Sequence, residues 1–338
     1  MTTPPAGMTL ELAVESWPLK VPFRITGYTF ETLDLLVCTL RRGNHLGRGE
    51  ATGVYYHDET GERMRAQIEA VRDSIEAGID RETLQGLLPP GGARNAVDCA
   101  LWALESHERG QPAWQLAGLA RPRPLLTTFT LGADAPDVMA ARAREATLAR
   151  ALKLKLIGDG EDAARVLAVR QARPDTWMAV DANQAFDRTG IAALLPALVE
   201  ADVRLLEQPC RIGEEAQLRG LDCPLPLAAD ESVQTREDID RVAELFDVIN
   251  IKLDKSGGLT EGLAMARRAR TLGLDVMVGN MIGTSLSCAP AFLVGQLCGV
   301  VDLDGPWHLA RDRVPATDYR DGYVNCPPGG WDSPGEQP

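Results

Sequence analysis

The sequence predicts an α/β fold, a (β/α)8 barrel of the TIM type with an α+β capping domain, and three observations point there. Between Leu125 and Gly305 short apolar runs alternate with amphipathic helical stretches, the pattern of βαβ units on a parallel sheet. There are eight such runs in about 180 residues, which fits a closed barrel better than an open sheet. Charged residues also recur at the C-terminal end of one run after another. The capping unit comes first in the chain: LELAVESW, LDLLVCTL and LGRGEATG read as three strands, with a turn at Arg42 to Asn44. Helical spacing follows through Glu62 to Ala77 and through Arg94 to Glu108, where Val97, Ala100, Leu101 and Leu104 recur. Residues 1–120 are therefore expected to form the α+β cap. The barrel strands expected over 121–306 are LLTTFTLG, LKLKLIG, WMAVDAN, VRLLEQP, LPLAADES, DVINIKLDK, LDVMVGN and VVDLDG. The tail, 307–338, is rich in Pro, Gly and polar groups and is expected to return to the cap.

Composition narrows the function. A chain of 338 residues, 45% hydrophobic and 25% charged, can bury a large core, and disorder is excluded as its main state. Its net charge of −13 repels phosphate backbones and anionic lipid, so neither nucleic acid nor a membrane surface is expected as a partner. No apolar run reaches bilayer-spanning length and the first residues lack a signal-peptide pattern, so the expected compartment is the cytoplasm. The seven scattered cysteines contain no CxxC and suggest neither a disulfide framework nor a zinc site.

The strand ends carry Lys153 and Lys155, Asp181 with Asn183, Glu207, Asp230 with Glu231, Lys252 with Lys255, and Asp302 with Asp304. Successive separations are 26 (155 to 181), 26 (181 to 207), 23 (207 to 230) and 22 (230 to 252), each one βα unit. In a barrel these ends share one mouth, the usual place for catalysis. Lys155 falls on strand two and Lys252 on strand six, opposite each other, with Asp181, Glu207 and Asp230 on the arc between. Three convergent carboxylates call for a cation, and oxygen-only ligands point to a hard ion, Mg²⁺. A lysine facing such an ion is expected to be pushed toward its neutral, basic form. Two opposed lysines beside a metal-bound carboxylate suit 1,1-proton transfer, the inversion of a stereocentre next to that carboxylate.

KLKL, VDAN, LEQP, ADES and NIKLDKSGGLTEGL, in this order, resemble the enolase superfamily and its muconate-lactonizing-like subgroup, from about Leu10 to beyond Trp307. Sites of that superfamily with a Lys or His base and Mg²⁺ are a known pairing. VDLDGP, with Asp302 and Asp304, resembles the Asp-x-Asp signature of dipeptide epimerases, where the pair holds the substrate's α-ammonium group. The resemblance implies Lys155 and Lys252 as bases and Asp181, Glu207 and Asp230 as Mg²⁺ ligands. It implies Lys153 on the substrate carboxylate, Thr130 on the dipeptide, and cap loops near Phe23 to Phe30 and Gly53 to Thr60 closing over the barrel. The implied reaction is epimerisation of the C-terminal residue of a dipeptide, Ala-Glu first, in recycling of murein peptides, by a homo-oligomer. Two departures stand out. Where Glu-directed relatives carry an arginine after the Pro-Phe pair, Gly27 and Tyr28 stand here and Arg24 is the nearby guanidinium, so Arg24 is the candidate for the substrate side chain. Gly283 replaces a Glu found in many subgroup members.

Each feature has a plainer explanation. A single Asp or Glu at a strand end is usually a helix cap or a solvated loop residue. Asp302 and Asp304 could cap the following segment, Lys255 fits an ion pair, and Arg24 could be a surface charge. The four histidines show no metal spacing and read as solvated or locally satisfied, with His57 placed in a cap loop. Sister reactions keep the same site: N-acylamino acid racemase, o-succinylbenzoate synthase or muconate cycloisomerase, none needing an ammonium-binding pair. A Schiff-base aldolase using Lys155 or Lys252, and a barrel that only binds a ligand, are the remaining alternatives.

Overall fold

A computed structural model describes residues 7–25, 28–327 and 331; the side chains of Arg24 and Ile25 lie outside that set. Strands β1 (Thr9–Ile25), β2 (Tyr28–Arg42) and β3 (His45–Ala51) form an antiparallel sheet in that order. The stretch expected as a loop near Phe23 is instead the far end of this hairpin: Phe23 pairs with Phe30 and Ile25 with Tyr28, beyond a register shift between Pro18 and Phe23. The helix expected over Glu62 to Ala77 is two, Gly61–Glu69 and Arg72–Glu76, because Val71 leaves helical geometry at ψ 14°. Helix Gly92–Arg109 packs its long buried face on the cap sheet, and a short helix, Arg81–Leu87, precedes it unanticipated.

The first barrel run divides in two. Leu125–Leu126 (β4) pairs with a hairpin from the tail, whereas Thr128–Leu131 (β5) starts an eight-stranded parallel sheet. Its further strands are β6 (Ala151–Lys155), β7 (Trp177–Asp181), β8 (Leu206–Glu207), β9 (Leu227–Ala229), β10 (Val248–Lys252), β11 (Asp275–Gly279) and β12 (Val300–Asp302), paired in sequence order. The edges β5 and β12 meet through side chains rather than a ladder. The Thr128 hydroxyl donates to Asp302 Oδ1 (2.5 Å), Leu303 N–H to Thr127 Oγ1 (2.9 Å), and Thr130 N–H to Asp304 Oδ2 (2.6 Å).

Strand periodicity sorts the barrel into layers, since alternate side chains face opposite sides. Leu152, Leu154, Met178, Val180, Ile249, Ile251, Val276 and Val278 join the large core under the helices. Ala179, Leu205, Ala228, Val248 and Met277 fill the interior floor. Two residues further along the same faces come Asp181, Glu207, Asp230 and Asn250, with Lys252 beyond Asn250, so these polar side chains stand on a packed apolar plug. Among the described residues no helix is long and apolar enough to cross a membrane. The tail meets both units. Leu309 bridges Leu19, Arg313 bonds Glu15 and Glu50, and the Trp331 indole donates to Arg48 O.

Candidate active site

Strand register levels the ring: Lys155 pairs with Asp181 and Asp181 with Glu207. Oxygens of Asp181, Glu207 and Asp230 lie within 4.8 Å of one another, all buried. Lys155 Nζ is 2.6 Å from Asp181 Oδ2 and Lys252 Nζ is 2.6 Å from Asp230 Oδ2, one amine on each flank. Strand β11 contributes no side chain here; a Cβ on Gly279 would stand 3.0 Å from Lys252 Cε, so glycine leaves the lysine its space. Lys153, on the face of β6 shared with Lys155, bonds Asp302 and lies 3.5 Å from Glu207 and 3.6 Å from Asp181.

Charge in the ring is unevenly compensated. Burial and the neighbouring Asp181 push the Glu207 carboxyl up to about 8. Its Oε1 accepts from Asn250 Nδ2 at 2.6 Å, but its buried Oε2 receives no hydrogen bond. Burial raises Asp181 and Asp230 less than their lysines lower them, so both stay below the usual carboxylate range. Glu231, next along, is pushed to about 7 by burial and Asp230. An all-oxygen donor set with an orphaned buried oxygen and a carboxyl reluctant to ionise fits a hard divalent cation. Lys252 stands under two opposed influences. Burial lowers its proton affinity, but Asp230, Glu207 and Asp181 outweigh that and hold it well above its ordinary value. Lys255 is wholly buried behind the ring, 2.5 Å from Asp230 Oδ1 and 3.0 Å from Val233 O, where it fixes Asp230.

Both oxygens of Asp302 accept hydrogen bonds, Oδ1 from the Thr128 and Thr130 (3.4 Å) hydroxyls and Oδ2 from Lys153. Asp304 differs: Thr130 N–H and His308 Nε2 (3.1 Å) share Oδ2, and among the described residues Oδ1 receives no hydrogen bond. His308, expected to be solvated or locally satisfied, is satisfied by Asp304; its spacing, one helical turn after Asp304, was the signal for that partner. Arg24 pairs through its backbone with Thr29; its side chain lies outside the described residues.

A cavity of about 340 Å³ opens above the ring, bounded by the cap. Its outer wall is aromatic: Tyr28 stacks on Phe30 (6.1 Å), and the Tyr55 ring meets both edge-on. The loop after β3 is held from below, because Thr52 and Gly53 N–H groups donate to Asp254 Oδ1 at 2.9 and 3.0 Å. Asp254 is two residues past Lys252, so the lysine's strand end and the cap loop share an anchor. Within that loop Glu59 accepts from Val54 N–H at 2.9 Å, and His57 contacts Gln234. Gly283 belongs to a second clasp: a Cβ there would meet Ser287 Oγ at 2.4 Å and approach Glu50 and Thr52 at 3.3 Å. Buried Glu50 accepts from Thr284 N–H and hydroxyl (2.7 and 2.6 Å) and from Arg313, tying cap, barrel and tail.

Barrel, cap and ring define a class, and sequence comparison agrees: the chain belongs to the enolase C-terminal domain-like family, whose model matches residues 138–332. Over 318 residues, 94% of this chain and 99% of the relative, it is 38% identical to L-Ala-D/L-Glu epimerase of Escherichia coli strain K12. It is 40% identical, with a TM-score of 0.91, to an enolase family member from Agrobacterium tumefaciens with homology to dipeptide epimerases, solved with sodium and L-Ala-L-Glu; 94% of this chain and 97% of that chain are covered. A dipeptide epimerase from Methylococcus capsulatus, complexed with Mg and L-Arg-D-Lys, is 31% identical with a TM-score of 0.88, covering 96% and 98%. These relatives are named for isomerase chemistry on amino acid derivatives.

Proposed function

We propose that this chain is a Mg²⁺-dependent dipeptide epimerase that inverts the α-carbon of the C-terminal residue, with L-Ala-D/L-Glu as first substrate. The observation that carries the reading is the pair of buried amines, Lys155 and Lys252, set on opposite flanks of three convergent carboxylates. Asp181, Glu207 and Asp230 would hold the ion. Bound there, it would withdraw negative charge from the substrate's terminal carboxylate as the α-proton leaves. One lysine, neutral, takes that proton from one face, and the other, as ammonium, delivers a proton to the opposite face. The α-carbon is inverted and the proton count is unchanged. Lys153 adds a cation beside the substrate carboxylate, Thr130 stands at the dipeptide's amino end, and Arg24 is assigned to the substrate side chain. Asp302 orients Lys153, and Asp304 offers its open oxygen to the α-ammonium group.

That open oxygen favours a dipeptide over the N-acylated or non-amino substrates of the sister reactions, which carry no ammonium. Replacing Asp304 with Asn should cripple a dipeptide epimerase and leave a sister reaction nearly intact. The direct test is α-proton exchange in deuterated solvent with a dipeptide panel, with Mg²⁺ and after EDTA. Exchange with no dipeptide in the presence of Mg²⁺ would overturn the substrate assignment. This substrate class suits turnover of murein peptides by a cytoplasmic homo-oligomer.

A further inference from the structure

The two proposed bases stand at strand ends that are held differently. Beyond Lys252 the chain turns into the short helix Leu253–Ser256 and runs on to Thr260, and the cap grips this segment from two sides. On one side Thr52 and Gly53 N–H groups, from the loop after β3, donate to Asp254 Oδ1 at 2.9 and 3.0 Å. On the other lies helix Gly92–Arg109. Its buried Arg94 donates to Ser256 O (2.6 Å) and Gly257 O (3.3 Å), Asp98 accepts from Thr260 N–H (2.9 Å), and the Trp102 indole donates to Thr260 Oγ1 (2.9 Å). Gly257 and Gly258 have φ of +82° and +117°, and a Cβ on either would collide with Arg94 or Asp98, so this close approach needs both glycines. Beyond Lys155 the partners are barrel residues. Leu156 N–H donates to Asp181 O (2.9 Å), Ile157 and Gly158 N–H groups donate to Asp162 (3.2 and 2.8 Å), and Arg165 holds Asp162 at 2.8 Å.

We propose that Asp254 is a positioning residue for Lys252, so that docking of the cap sets the reach of one base and leaves the other alone. This dependence rests on the two-lysine reading and adds which lysine answers to the cap. Leu253 alone separates Asp254 from Lys252, and both Leu253 and Asp254 are buried, so a shift of Asp254 passes through a packed link to the lysine's backbone. Removing the Asp254 carboxylate unpins Thr52 and Gly53 and lets the segment behind Lys252 relax. A misplacement of about 1 Å at a reacting group costs up to about 10²-fold in rate. Lys255, on the same short helix, is seated by barrel groups, Asp230 Oδ1 at 2.5 Å and Val233 O at 3.0 Å, so the proposed metal ligand Asp230 keeps its partner.

The test measures α-proton exchange of each pure epimer of a dipeptide, Ala-Glu first, in deuterated buffer at saturating Mg²⁺. It compares the native chain with Asp254→Ala, Asp254→Asn and Arg94→Lys. In Asp254→Ala, kcat should fall at least about tenfold for one epimer, the one silenced by Lys252→Arg, and stay within about twofold for the other. KM should rise alike for both, because the loop Thr52–Glu59 lines the cavity whichever epimer is bound. Asp254→Asn keeps an acceptor oxygen and should restore kcat to within about threefold. Arg94→Lys loses the paired contact with two carbonyls and should lower kcat about fivefold for the same epimer. Partial unfolding scales both rates equally, so the ratio between epimers reads position and not folded fraction. A ratio unchanged in Asp254→Ala and Arg94→Lys, or a fall confined to the epimer served by Lys155, overturns the assignment and leaves the epimerase reading standing. Absence of exchange with every dipeptide in the native chain overturns that reading and the positioning role with it.

Discussion

Arginine in place of Lys155 separates charge from proton transfer. Asp181 is fully buried, and its amine partners are Lys155 at 2.6 Å and Lys153 at 3.6 Å. Truncating Lys155 to Ala would leave that carboxylate poorly compensated, at a cost of about 3–5 kcal/mol in stability. A guanidinium keeps the positive charge but does not release a proton near neutral pH, so Lys155→Arg removes the proposed base while sparing the ion pair. No other amine can substitute: Lys153 is bound to Asp302, and Lys252 sits on the opposite flank. Loss of a positioned base costs on the order of 10³-fold, about 4 kcal/mol of activation free energy. Epimerisation should therefore fall about 10³-fold. Lys252 still faces one side of the substrate, so one epimer should exchange its α-proton within about tenfold of the native rate while the other falls about 10³-fold. Lys252→Arg should show the mirror pattern. Proton NMR of each pure epimer in deuterated buffer reads both. Equal loss from both epimers, or epimerisation retained within about tenfold, would refute two-base geometry.

Other expectations can be checked with purified protein. At a free Mg²⁺ concentration 100 times its Kd, the native chain should gain about 2.7 kcal/mol against unfolding, and Glu207→Gln should abolish that gain in melts with and without EDTA. Asp254 is raised from 3.8 to about 7, by burial against the pull of the Gly53 and Thr52 N–H groups. The folded chain thus binds this proton more tightly than the unfolded one, and stability should decline as pH rises from about 4 to about 7, by at most about 4 kcal/mol, then level off. Urea titrations across that range should lose this slope in Asp254→Asn. Arg313→Ala strands the fully buried Glu50 side chain and should cost about 3–5 kcal/mol, read as a lower urea midpoint. A loss under about 1 kcal/mol would show that Thr284 alone suffices to hold Glu50.

Much of the barrel and of its ring could be read from residue order because both are local patterns repeated. Alternation puts Lys153 and Lys155 on one face of one strand, and a βα unit of constant length returns Asp181, Glu207 and Asp230 to equivalent places. Residue type then limits the chemistry, since carboxylates and amines at one mouth leave few alternatives. What stayed hidden depends on partners distant in the chain. Asp254 holds Thr52 and Gly53 from 202 and 201 positions away, and Glu50 meets Thr284 across 234. Such pairs are set by how cap and barrel dock, which no local periodicity encodes. The same holds at the seam, where closure of β5 on β12 occupies Asp302, leaves one oxygen of Asp304 open, and brings in His308. Sequence alone therefore determined the kinds of groups and their ring, because repetition and chemistry are carried by the chain itself. Only the tertiary structure decided which of their atoms are occupied and which are free, because that depends on surfaces that meet after folding.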